Sequence, residues 1–411
     1  MRTGFQRTFW VANILELFER FAFYGSKAVL TFYLANKVGL GPETAGKLAG
    51  VFSGVLYSLP IVAGTFVDRY GFKRSLIACF AFFTVGYFLI GLAGLSFGSA
   101  ITAVVGKTTY LIAVLLLTAV GGSLIKPCIV GTVAKTTTPS TKALGFSIYY
   151  TLVNIGGAVG PILALQVREN LGIEYVLIMS SVTSFLLILG TLIFYREPQN
   201  SDGTVSSQSL ARVVRDMLLV FTNIRFVSFL VIFSGFWIMF WQIFYSLPFY
   251  VTEVLKFERF ELLETVDAWS IIFLTVPVAA MTRKMKSIVA MVVGFSIASC
   301  AWLVMGMVHS VSATVAGMFL FALGEAIQAP RFYEYVADLA PKEQIGTFMG
   351  FAFLPVAIGS FVAGPLGGWL VQTYLRCDVP APTVMWMIVA AIGFGSTVLM
   401  ILYDRIIVRR T

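Results

Sequence analysis

Long apolar runs, each closed by charges or by a proline- or glycine-rich break, set the pattern of this chain. They fall near 9–36, 44–67, 75–96, 109–134, 143–167 and 174–195. A second set falls near 224–252, 262–281, 287–309, 312–338, 345–374 and 382–404. Each run is of the length, roughly 20 residues, with which a helix crosses a bilayer. None shows the ten-residue alternation of a membrane barrel. The pattern predicts an all-α membrane protein with twelve transmembrane helices in two pseudo-symmetric six-helix halves. The one long polar stretch, Arg196 to Asn223, lies between them and contains Pro198, Asn200, Asp202 and Gly203, which reads as a linker. Its second part sets Leu210, Val213, Val214, Met217, Leu218 and Phe221 at helical spacing, with Arg212, Arg215 and Asp216 opposite. That spacing predicts a short amphipathic helix on the membrane surface. The expected domains are therefore residues 1–196, the linker 197–223 and residues 224–411.

Composition narrows the function classes. Of 411 residues 58% are apolar and 12% charged, whereas a soluble domain carries about 25% charged residues. A soluble enzyme and a nucleic-acid module are excluded. The net charge of +9 reports orientation instead. Eighteen Lys and Arg fall on loops of one side and seven on the other, which by the positive-inside rule predicts cytoplasmic termini and linker in a cell-membrane protein. The remaining four, Arg20, Lys27, Lys126 and Arg331, sit inside spans. Cys79, Cys128, Cys300 and Cys377 show neither a disulfide framework nor metal spacing. No phosphate-binding glycine loop or nucleophile elbow is present. Neither an enzyme, nor ATP hydrolysis, nor a cofactor is expected, and the expected state is a monomer.

The halves repeat each other. Gly121, Pro127, Pro139 and Gly160–Pro161 recur as Gly324, Pro330, Pro341 and Gly364–Pro365 at offsets of 202 to 204, and Ile155–Gly156 recurs as Ile358–Gly359. Parallel repeats of six helices build one large class of transporters, with the substrate site near mid-membrane between the halves.

Ions inside spans are costly and point to function. In the first run Glu16, Glu19 and Arg20 share one helical face, because i,i+3 and i,i+4 residues are neighbours. One Arg cannot neutralise two carboxylates, so this reading has one Glu take a proton, as a proton carrier requires. Lys126 lies about 13 Å from the loop at Lys135, beyond the reach of a snorkelling lysine. Glu325 is placed at mid-membrane in the tenth run, and Glu19, Arg20, Lys126 and Glu325 can then surround one cavity. Arg331 and Glu334, at i,i+3, read as a structural pair or gate. His309, the only histidine, has no partner spacing.

The loop after the second run reads Gly64-x-x-x-Asp68-Arg69-x-Gly71-x-Lys73-Arg74. It resembles the signature of the major facilitator superfamily, in which a turn at Gly71 and pairing of Asp68 with basic groups would latch neighbouring helix ends. Glu16-x-x-Glu19-Arg20-Phe21-x-Phe23-Tyr24-Gly25 resembles the first-helix motif of proton-coupled oligopeptide transporters. Tyr57-x-x-Pro60, Gly121-Gly122 to Lys126-Pro127, Phe146 to Asn154-x-Gly156, Phe236-Trp237 to Gln242, and Gly324-Glu325 with Pro330 resemble further helices of that family. The resemblance implies proton-driven uptake of di- and tripeptides by alternating access. It implies proton coupling at Glu16, Glu19, Arg20 and Glu325. It also implies substrate contacts from Arg20, Tyr24, Lys27, Tyr57, Lys126, Tyr149, Asn154, Trp241, Gln242 and Glu325.

Departures from that family weaken the peptide part. Phe23 stands for a Tyr, Lys27 for an Arg, Trp241 for the acidic residue before Gln242, and Asp267 for an Asn. A buried Lys27 needs an acid, and Asp267 is the expected substitute, the two forming a gate. Two rivals remain open: a major facilitator carrying a non-peptide anion, zwitterion or drug by symport or antiport, and a membrane sensor that moves nothing. A sensor would be expected to lose its coupling ions, and this chain keeps them.

Overall fold

The computed structural model describes residues 4–138, 140–198, 215, 218, 220–340 and 345–408. Among them the regular structure is helical throughout. α1 spans Arg7–Phe32 and continues as a wider π turn over Tyr33–Lys37. α2 is a bent pair, Gly41–Ser58 and Pro60–Tyr70, and α3 is Phe72–Leu92. α4 covers Lys107–Thr136, α5 Leu144–Asn170 and α6 Ile173–Phe194. In the second half α7 covers Ile224–Val254, α8 Phe260–Thr282, α9 Ser287–Met307 and α10 Val311–Leu339. α11 is Phe348–Tyr374 and α12 Pro382–Ile407.

Ten of these helices are long and apolar enough to cross a membrane, and the bent α2 makes an eleventh. α1, at 26 residues, has the length, but Glu16, Glu19, Arg20 and Lys27 lower its apolar character. The arrangement agrees with the twelve runs expected from the sequence. The 50° bend of α2 falls at Leu59–Pro60, where the proline ring removes a backbone donor and clashes with the preceding turn. One element differs from expectation. α3 ends at Leu92, and a further helix, Ser96–Val105, follows where the apolar pattern read as the end of a span and a loop. Its Phe97, Val104 and Val105 are exposed. The expected amphipathic segment lies outside the described residues at Leu210, Arg212, Val213, Val214, Asp216 and Met217, as do Pro139, Pro341 and Lys342; Arg215, Leu218 and Phe221 are helical.

The chain forms two compact units, one of Met1–Val29 with Val55–Val213 and the other of Leu30–Gly54 with Val214–Thr411. They depart from the sequence halves at residues 30–54. Local interactions account for this segment's place in the second unit. Tyr245 donates its hydroxyl to the Ala49 carbonyl at 3.1 Å, and Ser360 donates to that of Gly50 at 3.1 Å. Arg376 donates to Asn36 at 2.6 Å and pairs with Glu253. Phe32 packs on Phe249 and Phe260, at ring separations of 5.3 and 5.2 Å.

In each unit the fourth helix of the set lies against the third through a repeated glycine. A Cβ on Gly121 of α4 would run into Phe82 of α3, and one on Gly324 of α10 would sit 2.5 Å from the Gly294 carbonyl of α9. The repeat legible in the sequence is thus a repeat of close helix contacts, which small residues permit where lipid offers no hydrophobic drive for association.

Candidate functional site

Within the first unit the ionic face of α1 is closed by α4 and α5. Glu16, Glu19 and Arg20 are respectively 0%, 1% and 3% exposed. Arg20 Nε bonds Glu19 Oε2 and lies 3.4 Å from Glu16 Oε1. Lys126 of α4 reaches the same Glu16 oxygen at 3.2 Å and donates to the Tyr149 hydroxyl of α5 at 2.8 Å. The guanidinium also lies over the rings of Phe23, at 4.7 Å, and Tyr24, at 5.8 Å.

This arrangement corrects the charge count made from α1 alone. Two carboxylates meet two cations, because a lysine 110 residues away supplies the second positive charge. The cluster is thus balanced in charge, and pairing of this kind offsets part of the cost of burying its ions. One oxygen on each carboxylate, Glu16 Oε2 and Glu19 Oε1, is nevertheless buried without a hydrogen-bond partner. Those atoms are where a proton can be added.

Packing holds the network in place. Gly156 of α5 lies where any Cβ would strike Arg20, and a Cβ on Gly25 of α1 would lie 3.0 Å from the Gly160 carbonyl. Ser26 donates to Ser180 of α6 at 2.7 Å, and Ser180 donates to the Ala22 carbonyl at 3.0 Å. Tyr57 and Asn154 are half-buried. Asn154 spends its amide on the Tyr150 carbonyl, 2.8 Å away on its own helix. Lys27 is buried.

At the α2–α3 turn Gly71 has φ +85, as the expected tight turn requires. Asp68 is exposed and enters no hydrogen bond or ion pair among the described residues, and Gly64 faces open space. The carboxylate that fastens this turn is Glu197, just beyond α6. It accepts the backbone N–H groups of Phe72, at 2.6 Å, and Lys73, at 2.9 Å, while Lys73 Nζ donates to the Leu192 carbonyl at 3.0 Å. The physical reason is the start of α3, whose unpaired N–H groups and positive dipole end attract an anion. Asp68 sits instead at the end of the preceding helix. Arg69 lies over Tyr70, and Arg74 is exposed. Glu197→Ala is expected to cost about 1–2 kcal/mol, seen as a lower unfolding midpoint in detergent, with Asp68→Asn leaving that midpoint in place.

The second unit holds the other candidates. Trp241 is buried, donates its ring N–H to the Val356 carbonyl at 3.1 Å and stacks on Tyr245 at 5.7 Å. Gln242, fully buried, donates to the Ala363 carbonyl at 3.1 Å and accepts from Ser246. Both tie α7 to its neighbours. Gly359 of α11 lies where a Cβ would strike Trp237, as Gly156 lies against Arg20, so the repeated glycine seats the first helix of each set. Arg331 bonds Glu334 at 2.7 Å and the Thr282 carbonyl, the last of α8, at 2.8 Å, which makes it a tie between α10 and α8. Asp267, expected to pair with Lys27, has Oδ1 buried without a hydrogen-bond partner and enters no ion pair among the described residues. Glu325 is half-buried, and its Oε2 is likewise without a partner.

Sequence reasoning missed Ser180, Glu197, Glu261 and Glu264. The last two are buried on α8 ahead of Asp267, and their i,i+3 spacing was the available signal. Ser180 and Glu197 carry no local signal, since both act on helices far along the chain.

The profile of the Major Facilitator Superfamily matches residues 12–299 and 259–409. The chain is similar to the multidrug resistance protein MdtH of Klebsiella pneumoniae (strain 342), 23% identical over 371 residues covering 89% of this chain and 86% of that one. It is 24% identical to MdtH of Escherichia coli O157:H7 over 374 residues, covering 89% and 86%. A crystal structure of a POT family transporter in complex with a thioalcohol-conjugated peptide superposes with a TM-score of 0.79 at 17% identity, covering 97% of this chain and 96% of that one. The POT family transporter PepTSo superposes at 0.78 with 17% identity, covering 97% and 98%.

Proposed function

This chain belongs to the major facilitator superfamily, and on that premise we propose that it is a proton-coupled carrier of small peptides or peptide-like solutes, working by alternating access in the cell membrane. The observation that supports this reading most is the balanced set of Glu16, Glu19, Arg20 and Lys126. A proton arriving at Glu16 neutralises the partner of Lys126, and one at Glu19 neutralises that of Arg20. Either event frees a cation for an anionic group of the cargo, so proton and cargo binding are coupled on the same four side chains. Tyr149, already bonded to Lys126, and Tyr24, beside Arg20, stand ready to hold the released group. The half-buried Tyr57 and Asn154 add polar contacts.

A second reading keeps the coupling and changes the cargo to a non-peptide drug-like solute, moved by symport or antiport. It is favoured by the multidrug resistance names of the sequence relatives and by Trp241, an indole already bonded to Val356 where the peptide carriers are expected to have an acid. Flux in liposomes tests both readings. With an imposed pH gradient, wild type is expected to accumulate its cargo, while Glu16→Gln and Glu19→Gln lose accumulation at least tenfold and keep counterflow exchange. Full accumulation by both variants would remove these residues from coupling. Dipeptides and lipophilic drugs in the same panel separate the two cargoes.

A further inference from the structure

The second limb of α2, Pro60–Tyr70, does not close fully on its neighbours in the first unit. Between it, α3 and α4 lies a cavity of about 600 Å³. Val62 and Phe66 of α2, Phe82 of α3 and Val120 of α4 wall it with apolar surface. Small side chains at Ala63, Ser75, Ala78 and Ser123 leave the space open. Phe66 and Val120 stay 48% and 47% exposed, which in a bilayer turns the opening toward lipid. Arg74 and Phe82 are eight positions apart on α3, and Leu59 and Tyr70 eleven apart on α2. At 1.5 Å per residue the walls are therefore roughly 12 and 16 Å long. One leaflet of a bilayer whose hydrocarbon core is about 30 Å thick has the same depth, about 15 Å.

Charge marks one end of this cavity. Among its lining residues only Arg74 is ionic, and it sits with Tyr70 at the α2–α3 turn, both exposed. Arg69 lies over the Tyr70 ring at 5.5 Å, so a second guanidinium borders the same end. Lys73 beside them is tied to the Leu192 carbonyl. Two carboxylates share the turn, the exposed Asp68 and Glu197, and the latter is held by the first N–H groups of α3. Three cations against two anions leave the turn basic by one charge. A second cavity, of about 650 Å³ between α1 and α6, has no ionic lining residue. That one can take an apolar chain but has nothing with which to choose a headgroup.

We propose that the α2–α3–α4 cavity is a binding site for an anionic phospholipid of the leaflet that meets the α2–α3 turn. One acyl chain fills the apolar part and the phosphate pairs with Arg74. Basic groups at the rim of a pocket between spans attract anionic headgroups. Protein interiors are otherwise close-packed, and the chain supplies the contacts that no side chain makes there. A zwitterionic headgroup brings its own ammonium to the guanidinium and is the poorer match. The bound lipid completes the packing of the second limb of α2 on α3 and α4. This site is independent of the cargo that the carrier moves.

Native mass spectrometry of the purified full-length protein, titrated with phosphatidylglycerol or phosphatidylcholine of identical chains, tests the site. Wild type is expected to bind a first phosphatidylglycerol at least fivefold more tightly than phosphatidylcholine. Arg74→Gln is expected to lose that preference and Arg74→Lys to keep most of it. Ala78→Phe, which fills the cavity, is expected to weaken the first lipid of either kind at least fivefold. Gly190→Phe, which fills the cavity between α1 and α6, should leave the preference as in wild type. Arg74 is exposed, so its variants decide the matter even where Ala78→Phe fails to fold. The site is overturned if wild type binds both lipids alike, if Arg74→Gln keeps the preference, or if folded Ala78→Phe binds like wild type. Loss of the preference in Gly190→Phe alone would place the lipid at the other cavity and equally overturn it.

Discussion

Arg20→Met is expected to destabilise the protein by about 3–5 kcal/mol, the range for removing one partner of a buried ionic group. Adding Glu19→Gln to it should recover most of that loss. The reasoning is a charge count confined to one cluster. Arg20 holds Glu19 directly and shares Glu16 with Lys126. Taking the guanidinium away leaves two buried carboxylates facing one ammonium. Removing the Glu19 charge as well returns the cluster to a single pair, Glu16 with Lys126, at 3.2 Å. The double variant should therefore be more stable than the single one, an interaction between neighbours that a double-mutant cycle isolates. Unfolding midpoints of wild type, both single variants and the double variant, in one detergent, provide the check. A double variant as unstable as Arg20→Met would show that packing of the guanidinium on Phe23 and Tyr24, not charge balance, governs the cluster. Proton-driven accumulation is expected to be absent from both Arg20 variants.

Gly364→Ala is expected to lower the unfolding midpoint by the equivalent of about 3 kcal/mol and to cut transport at least tenfold, although it adds a single methyl group. Gly364 of α11 faces Gly46 and Gly50 of α2 in the second unit. Its Cβ would strike the Gly46 carbonyl, and a Cβ on Gly50 would lie 2.8 Å from the Ser360 carbonyl. One on Gly368 would lie 2.5 Å from the Pro42 carbonyl. The obstacles are backbone atoms, which cannot rotate aside as a side chain would. Spacings of four residues on both helices, Gly46–Gly50–Gly54 and Ser360–Gly364–Gly368, make a two-sided small-residue seam. Gly395→Ala of α12 is the control. Nothing lies within 4 Å of its would-be Cβ, so the change should be neutral or stabilising by up to about 1 kcal/mol. Equal midpoints for Gly364→Ala and Gly395→Ala would mean that the seam gives way at no cost.

Several features are legible in the sequence alone. The apolar runs mark the helices because a bilayer leaves backbone polar groups no partner except their own helix. The placement of Glu16, Glu19 and Arg20 on one face follows from helical spacing alone. The repeat of Gly121 as Gly324 and of Gly156 as Gly359 could be counted, though not what it was for. Its purpose needed the neighbours: Phe82, Gly294, Arg20 and Trp237.

The sequence by itself determined the helices, their two sets and the residues too polar to lie in a membrane idle. Each is a property of one helix in its solvent, set by spacing, length and the cost of stranding a charge. The tertiary structure alone decided which charges cancel. It joined Lys126 to Glu16 and, among the described residues, left Asp267 and Glu325 without a cation. It also chose Glu197 over Asp68 at the α2–α3 turn and gave residues 30–54 to the second unit. These outcomes depend on which helix faces meet, and that is settled by backbone approach at small residues and by partners more than a hundred positions apart. Spacing along one helix shows where a side chain points; only packing shows what waits there.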